Sequence, residues 1–504
     1  MNFQSSGRRK LTQLWNTGKN IEVKGEKSMK VEKISRELEQ YCREIVEKYK
    51  IPGVAMGLAK DEELLWEKGY GYRDVEKELA LTIDTVFGIG SITKSFTCVA
   101  IMQLQEAGKL SVHDPVINYL PEFKTPDENQ TDRITIHHFM THTAGLPPLP
   151  TLFSALKKSM ENDSKLETDS EEDALAQLPV IETSDELLAF MAASSYELLG
   201  APGQEFSYSN DCFALLGAII ERVGGQTYEA YVKEHILEPI GMNNSVFHLE
   251  ELSAHEDVAT LYNSRKQDGE TIIFASNNPW DAPAMRAAGF LKSTVKDMLK
   301  YTEIFRNGGK FGDRQVLSHD SVEQMMTPFI EWSPGRYYGY GVVVIPDFFG
   351  YKLVEHSGGI KGVTAQMNII PELGLTGIGL ANLGSVPTAK LLTSTFIDYL
   401  GKPFTATPMQ VEEIAVAADM LQGYEGRFAS GEGMKFAFHV EDGKLVISSE
   451  EFSALPLKPI GDDSFLLELL EAETTIRFVR NEEGAVIRVA FGSRQIPKVK
   501  DDTE

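Results

Sequence analysis

The feature that most narrows the fold is a helix that is apolar on every side. Residues 98–102, from Cys98 to Met102, lie in the middle of a helical stretch that opens near Ser91 and closes at Gly108, a residue suited to a left-handed C-cap. A helix without a polar face cannot meet water, so it must lie between two layers of other structure. Ile34, Leu38, Tyr41 and Ile45 recur at spacings of four, three and four, the stripe of an amphipathic helix. Strand-like runs follow at 53–59 and 63–72, parted by the polar turn Lys60-Asp61-Glu62. Further β-rich runs at 340–345, 362–370 and 375–381 would complete the same sheet. The pattern predicts a two-lobed α/β fold in which helices cover an antiparallel sheet.

The chain has 504 residues, too many for one ordinary core. Helices are expected from Ser184 and over 211–221, the second closed by Gly224-Gly225. Residues 147–183 are Pro-rich and then strongly acidic, and read as a solvated insertion loop. After Gly401 the character changes. Residues 435–449 alternate around Asp442-Gly443, a hairpin signal, and strands are expected at 464–469, 474–480 and 485–491. Many short strands with few helical patterns indicate an all-β barrel. The expected organisation is a disordered extension at 1–29, a larger α/β domain at 30–400, a linker at 401–418 and a barrel at 419–504. Met29 is a candidate start, because residues 24–27 match what a translated ribosome-binding stretch would encode.

The 74 acidic and 49 basic side chains give a net charge of −25, a field that repels phosphate backbones and argues against nucleic acid as a partner. No apolar run approaches the ~18 residues of a membrane span, and the N-terminus has no signal-peptide core. The three cysteines, Cys42, Cys98 and Cys212, are widely spaced and suit a reducing compartment. A cytoplasmic protein without a cofactor is the expectation. His138 and His142 are four apart, yet no third metal ligand stands nearby.

The sharpest chemical signal is Gly90-Ser91-Ile92-Thr93-Lys94, placed where a turn enters the buried helix. Residues three apart share a helix face, so the Lys94 amine can reach the Ser91 hydroxyl. A serine needs an adjacent base to become a nucleophile, and burial together with the helix N-terminus lowers a lysine pKa toward that task. The spacing alone is weak, since Ser154/Lys157 and Ser293/Lys296 repeat it. Two further triplets each occur once. Tyr208-Ser209-Asn210 immediately precedes a helix and offers a phenol and an amide. His356-Ser357-Gly358-Gly359 lies between β-rich runs, where glycines admit close approach of a substrate backbone.

In this order the three motifs resemble the serine β-lactamase and penicillin-binding-protein family, in the class C-like branch that includes D-aminopeptidases and esterases. The resemblance extends over about residues 33–399, with Gly69-Tyr70-Gly71, the segments 134–138 and 141–146, Pro202-Gly203, and Leu237-Glu238-Pro239-Ile240-Gly241-Met242. Tyr424-Glu425-Gly426-Arg427-Phe428 resembles the opening of the lipocalin-like barrel appended to some of these hydrolases, including a self-compartmentalising archaeal serine peptidase.

The resemblance implies that Ser91 attacks a carbonyl to form an acyl-enzyme, with Lys94 and Tyr208 sharing the proton. It implies that Asn210 binds the substrate amide, and that the N–H groups of Ser91 and Gly359 form an oxyanion hole beside His356 and Gly358. The family's third motif is usually Lys-Thr-Gly, whose cation holds a substrate carboxylate. A neutral histidine there is a weaker anchor. The reading is therefore peptide or ester hydrolysis of a small-molecule or short-peptide substrate. A weakly turning-over β-lactamase or penicillin-binding protein, or a non-catalytic sensor, is the alternative. The barrel would serve a homo-oligomer.

Overall fold

The computed structural model describes residues 34–165, 177–267, 270–408, 411–450, 452 and 454–499. The N-terminal extension and most of the acidic run at 166–176 lie outside these residues, as does the candidate start at Met29.

A nine-stranded antiparallel sheet organises the larger part. In chain order its strands are β1 (Gly53–Lys60), β2 (Glu63–Asp74), β3 (Leu79–Ala80), β4 (Ile330–Ser333), β5 (Arg336–Tyr338), β6 (Val343–Phe348), β7 (Tyr351–Ile360), β8 (Val363–Ile370) and β9 (Leu375–Ala381). Their spatial order is β4-β5-β6-β7-β8-β9-β1-β2-β3, so the N-terminal hairpin docks on the last strand, with Val54 opposite Ala381. Strands β1 and β9 are almost wholly buried because both sheet faces are covered. On β1, Val54, Met56 and Leu58 join one core with the helices α1 (Arg36–Lys48) and α5 (Thr388–Tyr399). Ala55 and Ala59 point to the opposite core. There Gly57 admits Val295 and Leu299 of α4 (Val295–Arg306) to within contact of the strand backbone.

The all-apolar helix is α2 (Thr93–Glu106), entered through a 3₁₀ turn at Gly90–Ile92. Every residue from Thr93 to Met102 is buried, as a helix packed on all sides requires. One neighbour is α3 (Asn210–Gly224), which Ser209 caps by accepting from the Cys212 N–H and Gly225 ends in the left-handed conformation at φ 75°.

Three expectations change. The His356 motif lies inside the ten-residue strand β7 rather than between strands. Its glycines were read as admitting a substrate backbone, and Gly358 instead gives clearance within the protein: a Cβ there would stand 2.0 Å from the Ile89 carbonyl oxygen. The insertion is also more ordered than a solvated loop. Thr151–Glu161 is a helix with Ser154, Ala155 and Leu156 buried, and beyond it Asp163 makes a buried ion pair with Lys361. Its apolar residues recur at helical spacing, a signal masked by the surrounding charge. The helix expected over 211–221 begins at Asn210, with Ser209 as its cap.

The C-terminal strands are all antiparallel, as expected, and hydrogen-bond as two separate sheets of four and five strands. A bridge between Phe428 and Lys498 links the two. Their shared core includes Phe428, Phe438, Phe465 and Phe478.

Gly358→Ala is expected to lower stability by about 2 kcal/mol or more, because its methyl group meets backbone that cannot step aside. Gly359→Ala, which meets nothing within 4 Å, leaves the thermal midpoint unchanged. Equal midpoints for the two variants would contradict this account.

Candidate active site

The site forms where the 3₁₀ turn leading into α2 abuts β7. Gly90 sits at φ 52°, and a Cβ there would stand 2.5 Å from the Gly359 nitrogen, so only glycine permits this approach. The contact sets Ser91 beside the exposed Gly359 backbone.

Lys94 is fully buried, with 0% exposure. Its Nζ lies 2.6 Å from the Ala288 carbonyl oxygen, 2.8 Å from Asn210 Oδ1 and 3.3 Å from Ser91 Oγ. Burial holds its pKa well below the ordinary lysine value, and the nearby Arg494 acts in the same sense. A neutral amine has two N–H bonds and one lone pair. The two short contacts are to oxygens that can only accept, so they take both hydrogens. The lone pair is left for the longest contact, the Ser91 hydroxyl. This geometry suits proton acceptance from Ser91.

The Tyr208 ring lies 4.7 Å from Lys94 Nζ. Burial pushes its phenol pKa up, while Ser91 beside it acts in the opposite direction. The phenol oxygen is buried and makes no hydrogen bond among the described residues, so the Tyr208 proton remains available to a reacting group. Asn210 is nearly buried. Its oxygen accepts from Lys94, and its amide donates to Glu432 Oε1 at 3.3 Å.

His356 stands apart from this set. Its Nδ1 is 2.6 Å from the Ser357 carbonyl oxygen, an acceptor only, so Nδ1 carries the hydrogen. Nε2 is 2.9 Å from the Tyr338 hydroxyl, which therefore donates. Burial first, and Lys94 to a lesser degree, bring the His356 pKa down to about 4, while the Ser357 carbonyl opposes the shift. Its ring lies tilted against that of Tyr208, 6.4 Å between centroids. The side chain is thus a neutral brace with both nitrogens engaged. The alternation of the strand turns Ser357 and Gly359 outward instead.

Several residues around the site were given no role there from the sequence. The His142 ring lies 4.2 Å from that of Tyr208, and its Nδ1 accepts from the Ser209 N–H at 3.0 Å. It therefore fixes the Tyr208-Ser209 backbone, and it belongs to no group able to hold a metal among the described residues. The segment around it was recognisable, but its contact with Tyr208 was not. Ala288, Tyr338, Glu432 and Arg494 carried no local signal.

A family model described as Beta-lactamase matches residues 38–397. Protein flp of Staphylococcus aureus strain MW2 is 27% identical over 345 residues, covering 62% of this chain and 63% of its own length. The chain thus spans under two thirds of that relative. The human mitochondrial serine beta-lactamase-like protein LACTB is 26% identical over 390 residues, 64% of this chain and 69% of its own. The structure of the octameric penicillin-binding protein homologue from Pyrococcus abyssi aligns with a TM-score of 0.65 and 30% identity, covering 92% of this chain and 99% of that one.

The His356 geometry has a spectroscopic consequence. Its imidazole nitrogens are expected to report the neutral Nδ1–H tautomer, without titration, between pH 6 and 8 in ¹⁵N NMR. A doubly protonated ring at pH 7 would contradict the assignment.

Proposed function

The chain belongs to the beta-lactamase family of serine hydrolases, and on that premise we propose that it cleaves amide or ester substrates through an acyl-enzyme on Ser91. The observation that carries the reading is the buried Lys94 amine, its basicity lowered by burial, 3.3 Å from Ser91 Oγ. In the first step Lys94 takes the Ser91 proton as Oγ bonds to the substrate carbonyl carbon. The carbonyl oxygen becomes an oxyanion facing the N–H groups of Ser91 and Gly359, each worth roughly 3 kcal/mol in such sites. As the C–N or C–O bond breaks, Tyr208 passes its proton to the leaving group and regains one from Lys94. Water then attacks the acyl-enzyme by the reverse proton route, releasing the acid and restoring Ser91.

Asn210 donates to the substrate carbonyl or amide group. His356 and Gly358 hold the strand and the Tyr208 ring in place, while Ser357 presents an exposed hydroxyl. The favoured substrates are short peptides, including those with D-residues, or small esters. The absence of a cation at position 356 speaks against efficient β-lactam turnover. Residues 30–400 serve as the hydrolase domain, 401–418 as a linker and 419–504 as an appended β-domain. Similarity to an octameric homologue supports self-association of the chain. Among the described residues no helix is long and apolar enough to cross a membrane. The three widely spaced cysteines support a reducing compartment such as the cytoplasm.

Ser91→Ala is expected to abolish hydrolysis of p-nitrophenyl acetate and of D- and L-aminoacyl nitroanilides while keeping the thermal midpoint. Retained turnover removes the mechanism. Lys94→Arg replaces the amine with a guanidinium that cannot give up its proton to become a base, so kcat/KM should fall by about 10²–10⁴. In the wild type the base must be deprotonated. The rate should therefore rise with pH through a single limb centred below the lysine value of 10.5. A pH-independent rate would exclude Lys94 as the base.

A further inference from the structure

Two turns from the C-terminal sheets reach into the site. Glu432 lies in the turn between the strands Gly426–Ala429 and Lys435–Glu441, and Arg494 opens the strand Arg494–Pro497. Both are held by backbone contacts with the hydrolase part. The Tyr208 N–H donates to the Ser493 carbonyl at 2.8 Å, and Gln495 Nε2 donates to Glu205 Oε2 at 2.7 Å and to the Phe206 carbonyl at 3.1 Å. A Cβ on Gly431 would stand 2.8 Å from the Pro148 carbonyl oxygen, so the first turn lies close against the segment before the Thr151–Glu161 helix.

At the tips of these turns the Arg494 guanidinium lies over the Tyr208 ring, 4.8 Å from its centroid. Its Nε donates to Glu432 Oε2, while Glu432 Oε1 accepts from Asn210. Glu432 therefore spends both oxygens on protein donors. Arg494 spends its Nε, and its Nη1 makes only a long 3.5 Å contact with Ser493 Oγ. Among the described residues, Nη2 makes no hydrogen bond. The side chain of Arg494 is 23% exposed against 8% for Glu432, so the unspent guanidinium edge belongs to the more accessible partner. The other ionisable neighbours do not compete for an anion: Lys94 donates to Ala288 and Asn210, and Asp211 is bonded to Thr151.

We infer that Arg494, oriented by Glu432, binds an anionic group on the leaving-group side of the substrate, so that the C-terminal part completes the substrate site. The inference rests on the reading above, in which Tyr208 hands its proton to the leaving group. A cation stacked on that ring lies beside whatever departs. A carboxylate two or three bonds beyond the scissile oxygen or nitrogen suits the two-pronged guanidinium edge. The substrate class is thus an acyl compound, peptide or ester, whose departing portion carries a free carboxylate. Glu432 is a positioning residue that fixes the guanidinium through Nε and leaves the Nη edge to the ligand.

The test uses the full-length Ser91→Ala protein, which binds without turnover, and three probes: the butyryl esters of glycolic acid, of glycolamide and of choline. Calorimetry should show the glycolate ester binding about tenfold tighter than the glycolamide ester. Adding Arg494→Gln should bring the two together, while Arg494→Lys keeps part of the difference. Adding Glu432→Gln, which keeps an acceptor for Nε, should preserve the glycolate preference, whereas Glu432→Ala, which frees the guanidinium, should narrow it; an unchanged preference in Glu432→Ala overturns the positioning role. Equal affinities for glycolate and glycolamide esters overturn the inference. So does a preference that survives Arg494→Gln, tightest binding of the choline ester, or no binding of any probe. Turnover of the glycolamide ester by the wild type, lost in Ser91→Ala, tests the hydrolase reading separately. Failure there together with an Arg494-dependent glycolate preference would sink the mechanism and leave the anion site standing.

Discussion

The arrangement depends on one buried amine. Transferring a charged ammonium from water into a protein interior costs several kcal/mol even after relaxation, so burial lowers the basicity of Lys94. A neutral amine in a dry site must still satisfy its N–H bonds, and here two carbonyl-type oxygens from separate elements do so. Ala288 belongs to the short helix Arg286–Gly289 and Asn210 to the first turn of α3. Their positions fix the rotation of the amine and leave its lone pair to Ser91. The apolar helix α2 has a purpose in these terms, since a helix with a wet face would let water reach Lys94 and restore its ordinary basicity.

The second constraint is steric. Ser91 and β7 come together only because backbone meets backbone without intervening Cβ atoms. Gly90 faces Gly359, Gly358 faces Ile89, and Gly341 at φ 68° lies 2.8 Å, measured from an ideal Cβ, from the Lys94 carbonyl. These glycines come from three distant stretches of chain. They bring the backbones of Ser91 and Gly359, proposed above as the oxyanion donors, close together on a helical turn and a strand rather than on a loop. That rigidity matters because an oxyanion donor misplaced by an ångström loses most of its effect.

Much of this was legible because the informative residues are local. The Ser91–Lys94 spacing already put hydroxyl and amine on one helix face, and the apolar run at 98–102 already demanded burial. Tyr208 and Asn210 were readable as a loop entering a helix. Side-chain direction was harder. His356 was read as facing substrate, but which neighbours engage its two nitrogens depends on Tyr338 of β5, a three-residue strand paired between β4 and β6 that no local pattern announces. Glu432 and Arg494 were invisible for a stronger reason. Each looks like an ordinary charged residue in a polar turn, and only long-range docking brings the two turns over Tyr208. The insertion helix Thr151–Glu161 failed for a similar reason, because the acid-rich run after it dominated the composition.

The charge of the whole chain and the charge of the crevice oppose each other, and their ranges decide which prevails. A net −25 repels an anionic ligand at long distance, but at physiological salt that field is screened over about 8 Å. Inside the crevice the relevant groups are few and close, and the low local dielectric strengthens contact interactions over distant ones. The Glu432–Arg494 pair cancels in net charge yet not in geometry, because the acid is saturated by donors and the base keeps an open edge. An anion would therefore gain little from steering and much from contact. Selectivity in such a site would appear in the lifetime of the complex rather than in the rate of encounter. A charge pair that is electrically silent from outside and directional within is a way for an acidic protein to recognise an acidic ligand.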